Sequence, residues 1–442
     1  MPQDRRDETL SELSHRTFDD ALGRRIVDTH IWAVREGLRG ADAYHLFDGY
    51  CQRLVIDGIP LWRAHAAMET LHPQWNGYGY TWRRDLNAIA PENYSHGEEN
   101  ERIFVTSPFY ALMQRARAGE DTPALRRHIE NGPEECDFPI LEEFHALGAT
   151  DYLAQLFIYG EKGDRSQGSG IAYSFATDRK GGFSDDDTTL VQATLPALSL
   201  AMKAHAGHVI ASGLLGAYLG EDAGRRVHAG SILRGSVDNL RAVIWYADIR
   251  GFTPLSDTAP GPVVVELLNE IFEILTASLR ERGGQVLKFI GDAMLAIFPF
   301  EDVARADTCR RALDAAVEAM ANIEALRRAR VASGAPVAPV DLALHLGDAL
   351  YGNVGAIDRL DFTVIGPAIN EVARIEALCQ PLGRAVLVSA EFVEGMKGAD
   401  SRLTSLGRHA LRGVKEAKEI FALELPDGSA RYTYGSENSA SK

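Results

Sequence analysis

The stretch that decides the fold is Arg241-Ala242-Val243-Ile244-Trp245-Tyr246-Ala247-Asp248-Ile249-Arg250-Gly251-Phe252-Thr253. Its apolar run is broken only near its end by a carboxylate, the pattern of a strand buried on both faces. A helix follows from Pro262 to about Glu281, with Val265, Leu268, Ile271, Phe272 and Leu275 on one face, and Arg282-Gly283-Gly284 stops it. Residues 284–300 read as a hairpin of two apolar strands with Gly291-Asp292 at its tip. A second helix spans Asp302 to about Ala332, and residues 339–355 return to strand character with glycine turns. Strand, helix, hairpin, helix, strand is the βαββαβ order of ferredoxin-like folds.

This block is expected to occupy residues 239–428 of a 442-residue chain, with a disordered tail at 429–442. A connector, residues 206–238, precedes it. The connector's first half continues a helix, which Gly216, Gly220 and Gly224 weaken by about 1 kcal/mol each. Residues 1–205 read as a separate α+β domain. After about fifteen loose residues, one helix runs toward Gly40 and a second starts at the N-cap candidate Asp42 and ends at Asp57-Gly58-Ile59-Pro60. Residues 71–85 read as strands around an Asn76-Gly77 turn. A helix at Phe138–Glu143 and strands at Tyr152–Tyr159 and Gly170–Ala176 follow. A long helix, capped by Ser184 or Asp185 and kinked at Pro196, closes the domain. The fold class is therefore α+β.

Composition narrows the function. A net charge of -16 disfavours general nucleic-acid binding, since an acidic surface repels phosphate backbones. Four scattered cysteines, Cys51, Cys136, Cys309 and Cys379, form no CxxC pair, which fits buried thiols in a reducing compartment. The longest apolar stretch, Leu195 to Leu219, carries Lys203, His205 and His208, so no membrane span is expected. The polar N-terminus has no apolar signal core, and the expected location is cytoplasmic.

Two lone aspartates carry the chemistry. Asp248 at a strand end and Asp292 at a hairpin tip supply hard oxygen ligands of the kind that hold Mg²⁺ against a polyphosphate. Two metals so held can activate an attacking oxygen and neutralise a leaving phosphate. No GxxxxGK phosphate loop is present.

Three motifs place this chemistry in a family. Tyr246–Thr253, Lys288-Phe289-Ile290-Gly291-Asp292-Ala293-Met294 and Phe362–Arg374, with His345, Gly347, Gly352 and Gly355 between, resemble the class III nucleotidyl cyclase catalytic domain in order and spacing. The Gly-Gly-(Asp/Glu)-Glu-Phe signature of diguanylate cyclases is missing. The resemblance implies an adenylate cyclase that converts ATP to 3′,5′-cyclic AMP and pyrophosphate with two Mg²⁺ or Mn²⁺ ions, at a site shared by two chains of a homodimer. Asp248 and Asp292 match the metal-binding aspartates, with Ile249 and Phe252 near the metals through backbone carbonyls. Lys288 and Thr363 match the base-reading positions, where guanylate cyclases usually carry Glu and Cys. Asn370 and Arg374 match the pair that orients the ribose and stabilises phosphate charge, and their spacing puts both on one helix face. Lys415 is a candidate for reaching the triphosphate; the register there is ambiguous, and Arg412 or Lys418 would serve equally. A GTP-preferring enzyme and an inactive nucleotide-binding sensory dimer are the rival readings. In the N-terminal domain, the turn chemistry and the helix Gly182–Lys203 resemble a GAF-type sensory domain, so a small-molecule or protein signal is expected there. Trp62, Trp75, Tyr78, Tyr80 and Trp82 are candidates for lining its pocket or for core packing.

Overall fold

The structure, a computed structural model, describes residues 20–425 except 74, 133, 135, 160–169 and 399. The tail expected at 429–442 and the first fifteen residues lie outside the described residues. The described chain divides into two compact units, residues 1–214 and 215–442.

The N-terminal unit is α+β. Helices α1 (Ala21–Leu38) and α2 (Ala43–Ile56) open it, capped by the Asp20 and Asp42 side chains, which accept from the backbone N–H groups of Gly23 and His45. Strands β1 (Arg63–Glu69), β2 (Trp75–Arg83) and β3 (Ala88–Ser95) follow, then α3 (Glu98–Val105), α4 (Pro108–Arg117), β4 (Ala124–Arg127), α5 (Pro139–Ala146), β5 (Asp151–Ile158), β6 (Gly170–Thr177) and α6 (Asp185–Leu219). The strands form one antiparallel sheet in the order β3-β2-β1-β6-β5-β4. Residue alternation divides each strand between two cores. Ala64, Ala66, Leu153, Tyr173 and Phe175 pack with Phe47, Tyr50, Leu195 and Met202 of α2 and α6. Tyr152, Ala154, Leu156 and Ala172 pack with Leu112 and Phe144 of α4 and α5.

One local expectation is corrected. Asn76-Gly77 is not a turn: both residues lie inside β2, paired to Glu69 and Tyr94, and the actual turns flank the strand. Pairing on both edges overrides the local turn preference of Asn-Gly. Helix α6 contains Pro196 within its span. The buried Asp151 pins the start of α6: it accepts from Arg126 and from the Phe183 N–H at 3.0 Å, and the Ser184 hydroxyl caps the Asp187 N–H. All four cysteines are buried.

After α7 (Glu221–His228) the C-terminal unit contains β7 (Val237–Ile249), α8 (Phe252–Thr258), α9 (Gly261–Arg280), β8 (Gln285–Ile290), β9 (Ala293–Pro299), α10 (Arg305–Ala332), β10 (Val340–Gly355), β11 (Leu360–Ile365), α11 (Pro367–Glu376), α12 (Cys379–Leu382), β12 (Val386–Ser389), α13 (Ala390–Gly395), β13 (Leu403–His409) and β14 (Lys418–Leu423). The sheet order is β13-β14-β12-β10-β7-β9-β8, with β11 paired to β10. Strands β10-β7-β9-β8 are the ferredoxin-like core read from the sequence. Val243, Trp245, Ala247 and Ile249 of β7 point to α9 and α10. Ile244 and Tyr246 point to the opposite face, which α11 covers with Val372 and Ile375. Among the described residues, no helix is long and apolar enough to cross a membrane.

Candidate active site

Alternation along β7 puts Asp248 on the α11 face, two residues beyond Tyr246. Gly251, with φ 70°, turns the chain off the strand into α8. The hairpin between β8 and β9 is a two-residue turn, and Gly291 at its first position has φ 64°. Because Asp248 sits opposite Ala293 on β9, the tight turn brings Asp292 to the same end of the sheet. Burial, then Asp292 and Asp341, push the Asp248 carboxyl up to about 6. A carboxylate so crowded by like charge is a receptive position for a cation.

Ile249 is buried in the α9–α10 core, so only its backbone is available to a ligand. Phe252 begins α8 and packs against the same core. Lys288 lies on the exposed edge strand β8 and pairs with Asp361 of β11. Thr363 is two residues beyond Asp361 and so shares its face of β11, opposite Gly352. Asn370 is exposed on α11, and Arg374 is half-buried one turn later, beside Gly413. Lys415 and Arg412 are exposed, whereas Lys418 is engaged by Glu391 and lies 3.9 Å from Glu371. Lys418 is therefore the least available of the three cations for a triphosphate. Among the described residues, no hydrogen bond or ion pair joins the two aspartates to Lys288, Thr363, Asn370, Arg374 or Lys415. Nor does any group of three or more His, Cys, Asp or Glu side chains there form a ready metal cage.

Sequence reasoning missed three residues of this site. Asp341 on β10 stands directly opposite Asp248 across the ladder. Arg250 grips it through both donors of a fork, at 2.8 Å and 2.5 Å, with the two side chains only 16% and 5% exposed. Glu376 ends α11, and burial, then Asp248 and Asp341, raise its carboxyl to about 8. It was legible in principle, because Glu376 is four residues after the buried Val372 and so continues the sheet-facing stripe. Asp341 carried no such signal, since its neighbourhood depends on the β7–β10 register.

Residues 237–425 match the family described as the adenylate and guanylate cyclase catalytic domain. The chain is 32% identical over 179 residues to adenylate cyclase 1 of Rhizobium meliloti (strain 1021), covering 40% of this chain and 26% of that protein. It is 30% identical over 168 residues to adenylate cyclase of Anabaena cylindrica, covering 38% of this chain and 33% of that protein. The chain thus spans only 26% and 33% of the length of these relatives. Among solved structures, the adenylyl cyclase CyaB from P. aeruginosa aligns with a TM-score of 0.39 at 23% identity, over 42% of this chain and 95% of that one.

Proposed function

We propose that this chain, whose residues 237–425 belong to the adenylate and guanylate cyclase catalytic domain family, converts ATP to 3′,5′-cyclic AMP and pyrophosphate in a homodimer controlled by its N-terminal unit. The observation that carries the reading is that Asp248 at the end of β7 and Asp292 at the β8–β9 turn come to the same end of the sheet, where burial, then Asp292 and Asp341, push the Asp248 carboxyl up to about 6. The ribose 3′-oxygen bonds to the α-phosphorus, the bond from that phosphorus to the β-phosphate bridge breaks, and pyrophosphate leaves. The donor set of Asp248, Asp292 and the Ile249 carbonyl fits two Mg²⁺ or Mn²⁺ ions, which when bound supply charge for the reacting hydroxyl and the leaving phosphates. The chain's own side chains position the nucleotide. Lys288 donates to an adenine ring nitrogen, and the Thr363 hydroxyl accepts from the exocyclic amine. Asp361 orients the Lys288 ammonium for that role. Asn370 holds the ribose, and the planar Arg374 guanidinium opposes the charge that develops on the α-phosphate.

Two features support the dimer. The aspartates lack bonds to the base-reading and phosphate-stabilising residues of their own chain. The strands bearing Lys288 and Thr363 also expose apolar side chains, among them Phe289, Ile290 and Ile365, which a second copy would cover. Helix α6 spans the boundary between the two units, which gives the N-terminal unit a covalent route to the catalytic one. Purified full-length protein with ATP, GTP and Mg²⁺ or Mn²⁺ tests the proposal by mass spectrometry of the products. Cyclic AMP as the main product is expected. Cyclic GMP as the main product establishes the rival enzyme, and no cyclic nucleotide at all refutes catalysis.

A further inference from the structure

The N-terminal unit carries a solvent-open cavity of about 680 Å³ on the sheet face opposite α1, α2 and α6. That size suits a small molecule, for which pockets of about 300–1,000 Å³ are usual. Phe104, Phe109, Met113, Ile140, Leu156 and Ile158 make most of its wall apolar. Its apolar wall is wetted where the cleft opens, and an apolar occupant would take that surface out of water.

One charged group on the wall has open donors. The Arg63 guanidinium, at the start of β1, is half-buried, and burial pulls its pKa down. Its protein partners are the Thr81 hydroxyl, at a long 3.4 Å, and the face of the Phe144 ring, 5.0 Å from the ring centre. Among the described residues, no carboxylate forms an ion pair with it. Glu92, the nearest acid by electrostatic effect, is committed elsewhere: its two oxygens accept from Thr81 Oγ1 at 2.7 Å and from the Tyr94 hydroxyl at 3.1 Å. Glu143 is exposed to solvent. His65 adds no charge. It is 8% exposed, tied to Thr81 at 2.7 Å and Tyr94 at 3.2 Å, and burial followed by Arg63 holds its pKa down at about 4.

We infer that this cavity binds a small organic acid with an apolar body and a single carboxylate, the carboxylate held by Arg63. A planar carboxylate matches the guanidinium fork and takes up the donors that no protein acceptor occupies. The ligand is a monoanion, because Glu69, Glu92 and Glu143 on the same wall oppose a second negative charge. Apolar walls exclude sugars and peptides, whose polar groups would be buried without partners.

Calorimetric titration of the full-length chain with 2-naphthylacetate and octanoate, each against its amide, tests this. The acids are expected to bind, and the amides to bind about tenfold or more weakly, the worth of a charge-assisted hydrogen bond. Arg63→Met should make acid and amide equal, and Met113→Trp, which fills the cavity, should abolish both. Binding heat needs no cyclase turnover, so this result stands or falls apart from the proposed enzyme activity. Failure of both acids to bind folded wild-type protein overturns the inference, as does amide binding as tight as acid binding. An acid preference that survives Arg63→Met also overturns it. Circular dichroism monitors folding. If Arg63→Met does not fold, acid binding that persists in Met113→Trp overturns the inference, and its loss supports it.

Discussion

Arg250→Met probes the electrostatics of the site without removing a proposed metal or substrate residue. In the wild type, Arg250 grips Asp341 through two bonds at nearly buried positions. Methionine leaves the Asp341 carboxyl facing Asp248 and Glu376 without its cation. Removing one partner of a buried pair costs about 3–5 kcal/mol. Protonation of the orphan sets a ceiling: a carboxyl with an unfolded pKa of about 3.9 can be neutralised for about 1.4 kcal/mol per pH unit above it, or about 4 kcal/mol at pH 7 and 1.5 kcal/mol at pH 5. We expect a loss of about 3 kcal/mol at pH 7 that shrinks to no more than about 1.5 kcal/mol at pH 5. The sign follows from protons bound. Asp341 already has a raised folded pKa, and the mutant raises it further. The folded mutant therefore holds more protons than its unfolded chain, and its stability falls as pH rises from about 4 through the folded pKa. Asp248 and Glu376 are raised in both proteins, so both lose stability across this range, and the widening gap between them is the diagnostic. Arg250→Met with Asp341→Asn should recover most of the loss. Hydrogen exchange of the β7 and β10 amides in the full chain reads the opening of this unit separately from the N-terminal one. A loss below about 1 kcal/mol at pH 7, a gap independent of pH, or no recovery in the double mutant would refute the reasoning.

Three further outcomes are expected. Asp292→Asn should lower cyclic AMP production by about a hundredfold or more with the fold intact, since an amide is a much poorer ligand for a hard cation; the Asp248 carboxyl should fall back toward its ordinary range in an NMR titration, because a neighbouring charge is gone. Lys288→Glu with Thr363→Cys should lower ATP turnover by reversing hydrogen-bond polarity at the base pocket, and unchanged ATP kinetics would remove both residues from that role. Asp248→Ala and Arg374→Ala, each inactive, should regain about 25% of wild-type activity when mixed with verified subunit exchange, because about half the dimers are mixed and half of their sites intact; no recovery would mean that one chain supplies the whole site.

Local pattern made the catalytic half legible. The apolar run ending at Asp248, the helix stopped by Arg282-Gly283-Gly284 and the Gly291-Asp292 hairpin each depend on neighbours a few residues away. Period and turn chemistry carry that information directly. The candidate cations were less legible: three basic residues near the C-terminus looked equivalent until Lys418 was found engaged by Glu391. The N-terminal aromatics show the same limit. Trp82 is a core residue, Tyr78 and Tyr80 line a smaller cavity beside His205, and the large cavity is built from Arg63, His65 and the apolar faces of α3, α4 and α5.

By itself, then, the sequence determined the strand–helix–hairpin–helix–strand core of the C-terminal unit, the α+β class of both units and the positions of Asp248, Asp292, Lys288, Thr363, Asn370 and Arg374 along the chain. Only the tertiary structure decided that Asp341, 93 positions from Asp248, faces it across a ladder, and that Glu376 closes over both from α11. It also decided that Asn76-Gly77 lies within a strand, at a register shift, and not in a turn. The reason is physical: periodicity reports which face of an element is buried, but strand register and the packing of distant elements decide what that face meets, and the energy of a charge depends on what it meets.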